Sequence, residues 1–230
     1  MKKLSKAVFI LILLVIILIT SISCSLLGLV DPDDEVPKFV KVNYIELEKI
    51  ERISKFRSSA GHDYSDSFES CSSMKHYFAP YDTLNWNAIR IYSPVAGKVS
   101  RIFEEWAGTQ VQIKSDGQPA FTFIIFHIDL ENELDVGDKL TEGQLLGTHI
   151  GDQTTSDIAV GVNTSKGYKL VSYFDVMTDS LFAAYQARGM NSRTDVIITR
   201  EEREADPLSC DGESFEDQGT LENWVVLNMP

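Results

Sequence analysis

The stretch from Ile89 to Gly151 decides the fold. It carries IYSPVAGKVSRI at 91–102, AFTFIIFHIDL at 120–130 and LDVGDKLTEGQLLGTHIG at 134–151. Ile89, Ile91, Val99 and Ile102 are apolar, and Pro94 with Gly97 supplies turn chemistry, so the first segment predicts a strand, a turn and a second strand. The middle segment is a near-continuous apolar run, too short to span a membrane, and reads as a buried strand. In the last segment three short apolar steps are each broken by glycine: Val136-Gly137-Asp138, Leu140 to Gly143, and Leu145-Leu146-Gly147. Short strands, glycine-rich turns and few helices predict a mainly β domain, either a sandwich or an open barrel with short helices.

Outward from this stretch the signals are shorter. Phe39 to Tyr44 alternates apolar and polar residues and predicts a strand. Leu47, Ile50, Ile53 and Phe56 recur every third residue and predict one short helix, which leads to the small-residue turn Arg57 to Gly61 before His62. Ser65 to Asn87 holds Cys71, His76 and the aromatics Phe68, Tyr77, Phe78, Tyr81 and Trp86, a composition that suits an ordered lid or wall. Tyr168 to Asp175 reads as a strand and Val176 to Arg188 as a helix stopped by Gly189. The charge run Arg200 to Asp206 reads as a solvated face, Asp211 to Gln218 as a mobile acidic segment, and Leu221 to Leu227 as a final strand.

The 230 residues suit one domain with a tail at each end. A formal net charge of −13 repels nucleic acid and anionic lipid surfaces, so no nucleic-acid partner is expected. There is no phosphate loop, no Cys-x-x-Cys and no Gly-x-Ser-x-Gly elbow. At the N-terminus Lys2, Lys3 and Lys6 precede the apolar run Val8 to Ile19, and Ser21-Ile22-Ser23 leads to Cys24. That pattern resembles the bacterial lipoprotein signal, with residues 1–23 removed and Cys24 lipidated; an uncleaved membrane anchor is the alternative. Either reading places the rest of the chain outside the cytoplasm. Residues 24–38, acidic and broken by proline, read as a tether. With Cys24 lipidated, Cys71 and Cys210 remain as an even pair in an oxidising compartment, and a disulfide between them is expected. Separate thiols, or Cys71 on a metal, are the alternatives.

Between Gly61 and Val162 the motifs resemble the lysostaphin-type (LytM-type) zinc endopeptidases, which cut peptide cross-links in bacterial cell walls. GHDYSD places His62 and Asp66 on that family's His-x-x-x-Asp motif, His127 falls on its Tyr-x-His strand end, and the turn from Gly137 to Gly147 matches its Gly-Asp and Gly-Gln pattern. The terminal His-x-His is replaced: SDIAVGV puts Asp157 and Ala159 at the two histidine positions. The resemblance implies a duplicated-hybrid-motif β fold over 39–178, followed at 179–230 by a helix and acidic tail. It implies a possible zinc site on His62 and Asp66, with Asp157 as the candidate for the open third ligand, His127 as the catalytic residue, and His76 as a second candidate to complete the set. On a strand Asp157 and Ala159 share one face, so Asp157 still looks into the cleft; His149 reads as a turn histidine. The expected function is a degenerate, non-catalytic domain that binds a cell-wall peptide, peptidoglycan or an envelope protein and is held to the membrane by its lipid. The alternative is a peptidoglycan endopeptidase with an altered ligand set.

Overall fold

The computed structural model describes residues 29–230, so the signal segment and Cys24 lie outside the described residues. The strands are β1 (Ile50–Ser54), β2 (His76–Pro80), β3 (Arg90–Tyr92), β4 (Gly97–Glu105), β5 (Gly108–Ser115), β6 (Phe121–Leu130), β7 (Lys139–Leu140), β8 (Leu145–His149), β9 (Ser156–Thr164) and β10 (Gly167–Val171), then β11 (Ser209–Asp211), β12 (Ser214–Asp217) and β13 (Trp224–Val226). Three short helices lie between β10 and β11: α1 (Tyr173–Val176), α2 (Asp179–Gln186) and α3 (Arg200–Ala205). The mainly β expectation is met. One antiparallel sheet runs β13-β1-β2-β9-β6-β5-β4-β7, with β10 on β9 and with β8 joining β6 to β3, while β11 and β12 form a separate hairpin.

The apolar run at 120–130 is β6, paired along its length with β5, β8 and β9. Its alternation sorts side chains between two cores. Phe121, Phe123 and Ile125 face the large core with Val111, Ile158, Val160, Tyr44, Tyr173 and Phe174, all buried. Ile124 and Phe126 face a smaller cluster with Phe56, Met74, Ala159 and Leu170. Each such side chain contributes roughly 1.5–3 kcal/mol of apolar burial, so β6 and β9 are the frame on which everything else is fixed. No helix among the described residues is long and apolar enough to cross a membrane.

Several local expectations change. The period-three pattern from Leu47 is not a helix: a 3-10 turn at Leu47–Lys49 leads into β1. A bulge between Ile50 and Arg52 inserts an extra residue, which puts Ile50 and Ile53 on one face of a strand and mimics helical spacing. Phe39 to Tyr44 runs as irregular chain, its backbone bonded to Val176 and Tyr92 and only Val40 forming a bridge, with Met177. The strand expected over Tyr168 to Asp175 stops at Val171, where Ser172 caps α1 through the Phe174 N–H. The two strands around Pro94 do not pair with each other: β3 joins β8, while β4 joins β5 and β7. The acidic segment after Asp211 contains β12 of an ordered hairpin. Cys71 and Cys210 form the expected disulfide, which ties that hairpin to the loop before β2. Residues 29–38 lie along the sheet: Val30 bridges Thr164, and Lys166 contacts Asp31 and Asp33.

Candidate functional site

Of the four predicted positions His62, Asp66, His127 and Asp157, the structure gathers all but Asp66. His127 is aimed by a break in β6. Val111 pairs with Ile125 and Thr109 with Ile128, so β6 carries one residue more than β5 at this point. His127 takes φ of 62°, the left-handed conformation that a bulge of this kind uses to redirect a side chain. Its Nδ1 lies 2.9 Å from the Ala107 carbonyl and its Nε2 3.2 Å from Asp157 Oδ1. Asp157 sits on β9 opposite Tyr77 of β2, and Ala159 shares its face as expected. His62 comes from the loop before β2. Gly61 is required there: at φ of 72° it lets the loop close over β2, and a Cβ would stand 2.0 Å from the Tyr77 hydroxyl. His62 Nδ1 donates to the Asp63 carbonyl at 2.8 Å, which leaves Nε2 as an acceptor.

The centre of the cluster is a residue that sequence reasoning missed. Lys75, immediately before β2, is 1% exposed, and its Nζ lies 2.5 Å from Asp157 Oδ2 and 3.1 Å from His62 Nε2. The rings of Phe126, Tyr77 and Tyr64 surround the same Nζ at 4.2, 4.9 and 5.0 Å. A cationic head in an aromatic cage gains attraction from each ring face. The available signal was weak: Lys75 is the single charge in an otherwise apolar and aromatic run from Met74 to Ala79, interrupted only by His76. Asp157 is fully buried, held by the Lys75 ammonium at Oδ2 and the His127 ring at Oδ1.

The electrostatics follow from burial working against pairing. Burial raises the Asp157 pKa, but Lys75 and then His127 outweigh it and hold the carboxyl below its usual range. Burial lowers the Lys75 pKa, and the charge of Asp157 reverses this. Burial also lowers that of His127, but its hydrogen bond to Asp157 leads the opposing effects and holds it above the ordinary imidazole value. Glu105, at the end of β4 and 3.9 Å from His127, is pushed up mainly by burial. Beside it Trp106 stands 77% exposed, its ring 6.2 Å from that of His127.

Asp66 is not brought to this cluster. Its Oδ1 accepts from the Phe68 and Glu69 N–H groups at 2.7 and 3.0 Å, and its Oδ2 from the Leu170 N–H at 2.7 Å. The carboxylate fastens the loop to β10. His76 points to the opposite face, with Nδ1 on the Ser54 carbonyl and Nε2 on the Ser172 hydroxyl, each at 2.8 Å. His149 is buried at the end of β8, its Nδ1 accepting from the Gly151 N–H. Among the described residues no three His, Cys, Asp or Glu side chains are grouped so as to hold a metal ion.

No protein-family model matches the chain, and no curated protein matches it. Solved structures do. One, described as a glycyl-glycine endopeptidase lytM from Ruminococcus gnavus ATCC 29149, is 16% identical with a TM-score of 0.35, over 44% of this chain and 43% of that one. The catalytic domain of lysostaphin from Staphylococcus simulans is 14% identical with a TM-score of 0.37, over 51% of this chain and 84% of that one. A chain of the SpoIIQ-SpoIIIAH pore forming complex is 11% identical with a TM-score of 0.44, over 65% of this chain and 98% of that one. The chain thus spans less than half the length of the first of these. Lysostaphin-type domains are therefore among its structural neighbours; the likenesses are partial and concern the fold alone.

Proposed function

We propose that this chain is an extracytoplasmic envelope protein, lipid-anchored at Cys24, whose peptidase-like domain binds a cell-wall peptide, glycan or envelope protein without cleaving it. The observation that carries the reading is the Lys75 ammonium between His62 Nε2 and Asp157 Oδ2. A hydrolytic zinc ion needs about three protein ligands and an open position for water. Here two of the candidate ligands already hold a fixed cation, and Asp66 is committed to backbone amides. A divalent ion about 3 Å from that ammonium meets repulsion on the order of 10 kcal/mol even at an effective dielectric of about 20. The residues present therefore do not fit zinc.

Two further features support the placement and the binding role. The Cys71–Cys210 disulfide suits an oxidising compartment. At the tip joining β4 to β5, exposed Trp106 offers a wide ring face beside His127, a common form of contact for a ligand that is part apolar and part polar. The test uses the full chain, purified from an oxidising compartment without chelator, beside His62→Ala and Trp106→Ala. Expected are no stoichiometric zinc by elemental analysis, no cleavage of peptidoglycan, and co-sedimentation with peptidoglycan that Trp106→Ala weakens. One zinc per chain, lost in His62→Ala together with cleavage, would establish the endopeptidase instead.

A further inference from the structure

The Lys75–Asp157 contact has the features of a reaction site as well as those of an ion pair. The Lys75 amine lies 2.5 Å from Asp157 Oδ2. Both groups are enclosed, at 1% and 0% side-chain exposure, and the amine is ringed by Phe126, Tyr77 and Tyr64. Pairing holds both groups charged, so condensation to an amide requires neighbours that take a proton from the amine and give one to the carboxylate. Excluded water also protects a condensation product from hydrolysis. The partners are fixed by the sheet, since Tyr77 pairs with Asp157 across β2 and β9. Such fixation makes a two-group reaction effectively unimolecular.

Proton carriers stand on both sides. His62 Nε2, an acceptor because Nδ1 donates to the Asp63 carbonyl, lies 3.1 Å from the amine. His127 Nε2 lies 3.2 Å from Asp157 Oδ1 while Nδ1 faces the Ala107 carbonyl, so a doubly protonated ring donates on both sides. One imidazole is thus placed to take a proton from nitrogen and the other to give one to oxygen.

We infer that Lys75 and Asp157 form a covalent cross-linking site, at which the lysine Nζ condenses with the aspartate Cγ to give an intramolecular amide and release one water. His62 removes a proton from the ammonium, and the free amine attacks Cγ as His127 protonates Oδ1. The tetrahedral nitrogen then passes a second proton directly to Oδ1, while His62 releases its proton to solvent and His127 takes one up. The Cγ–Oδ1 bond breaks and Oδ1 leaves as water. One proton from His127, one from the ammonium and one carboxylate oxygen make up that water, both histidines return to their starting states, and no oxidant or co-reactant is consumed. The product joins β2 to β9 beside the point where β10 replaces β2 along β9, a covalent brace across the sheet. The inference goes beyond the binding role and uses the same contact. Whether or not the amide forms, neither group is left free to ligate a metal.

The test is peptide mapping of the full-length protein by mass spectrometry after the disulfide has been reduced and blocked. The expected result is a branched peptide joining the segments that hold Lys75 and Asp157, one water lighter than their sum, and loss of tryptic cleavage after Lys75. Lys75→Arg should yield only linear peptides, and His127→Gln should reduce the branched species to a trace. Recovery of both wild-type segments as linear peptides from folded protein, with cleavage after Lys75, overturns the cross-link. A full yield of branched peptide in His127→Gln overturns the step assigned to His127. A missing cross-link would leave the proposed binding role standing, because zinc content reads that separately.

Discussion

His76 makes the stability of this fold depend on pH in a calculable way. Its ring is fully buried against Phe174 and Phe56 and bonded through Nδ1 to the Ser54 carbonyl and through Nε2 to the Ser172 hydroxyl. Burial pulls its pKa from 6.5 to about 4, the Ser54 carbonyl only partly offsetting this. The unfolded chain therefore binds this proton more readily than the folded one between those two values, and stability rises with pH across the window. The contribution is complete above about pH 6.5 and fades as pH falls toward 4; its full size is about 3 kcal/mol, since each tenfold change in proton affinity is worth about 1.4 kcal/mol. At about pH 5 roughly 2 kcal/mol of it should already be gone. The assay is urea unfolding of the wild type and of His76→Leu at about pH 7.5 and about pH 5, each ΔG taken by linear extrapolation. The variant is less stable throughout, because it leaves Ser54 and Ser172 without their partner, but its loss between the two pH values should be smaller by roughly 2 kcal/mol. Parallel losses in the two proteins, or an NMR titration of His76 near 6.5 in the folded state, would refute the reasoning.

Other outcomes follow from the same structure. His149 is also buried, with its pKa lowered to about 4 by burial, so His149→Leu should remove a further part of the acid sensitivity in the same unfolding series. Replacing both Cys71 and Cys210 by alanine opens a link across 139 residues and should cost roughly 4–5 kcal/mol in the chain-entropy model, read as a lower urea midpoint. Gly147→Ala would set a Cβ 2.0 Å from the Asp129 carbonyl oxygen, a backbone atom that cannot step aside; a loss of soluble folded protein on expression is expected, and a wild-type melting curve would contradict it. Lys75→Met leaves Asp157 buried without its cation and should cost about 3–5 kcal/mol, visible in thermal melts as a drop of roughly 10 °C.

What the sequence revealed depended on how local each signal was. The turns after Val136 and Leu140 and the apolar run of β6 are set by neighbours along the chain and appear where expected; the helix before Gly189 forms too, but over Asp179–Gln186, because Val176 ends the separate α1. The β1 bulge was not legible, because Ile50 and Ile53 three residues apart have the same pattern on a bulged strand as on a helix. The redirection of His127 was hidden for the same reason: a left-handed residue inside a ten-residue strand leaves no mark on an apolar run. Asp66 was ambiguous in another way. An aspartate that caps backbone amides and one that binds a metal have the same spacing from His62, and only the fold shows that Phe68, Glu69 and Leu170 supply the donors.

Lys75 shows why the site could not be assembled from motifs alone. β9 presents Asp157 and Ala159 on one face, and β2 presents Lys75 and Tyr77 beside them, so the chemistry of the cluster is a property of two neighbouring strands far apart in sequence. With alanine at 159 that face fills with Phe126, Tyr64 and Leu170, and the space beside Asp157 becomes apolar. A lone carboxylate there would cost several kcal/mol unless a cation accompanied it. Lys75 is that cation, and it reaches Asp157 from the residue just before β2. His62 and His127 then flank a lysine–carboxylate pair, each with a ring nitrogen within hydrogen-bond reach of it.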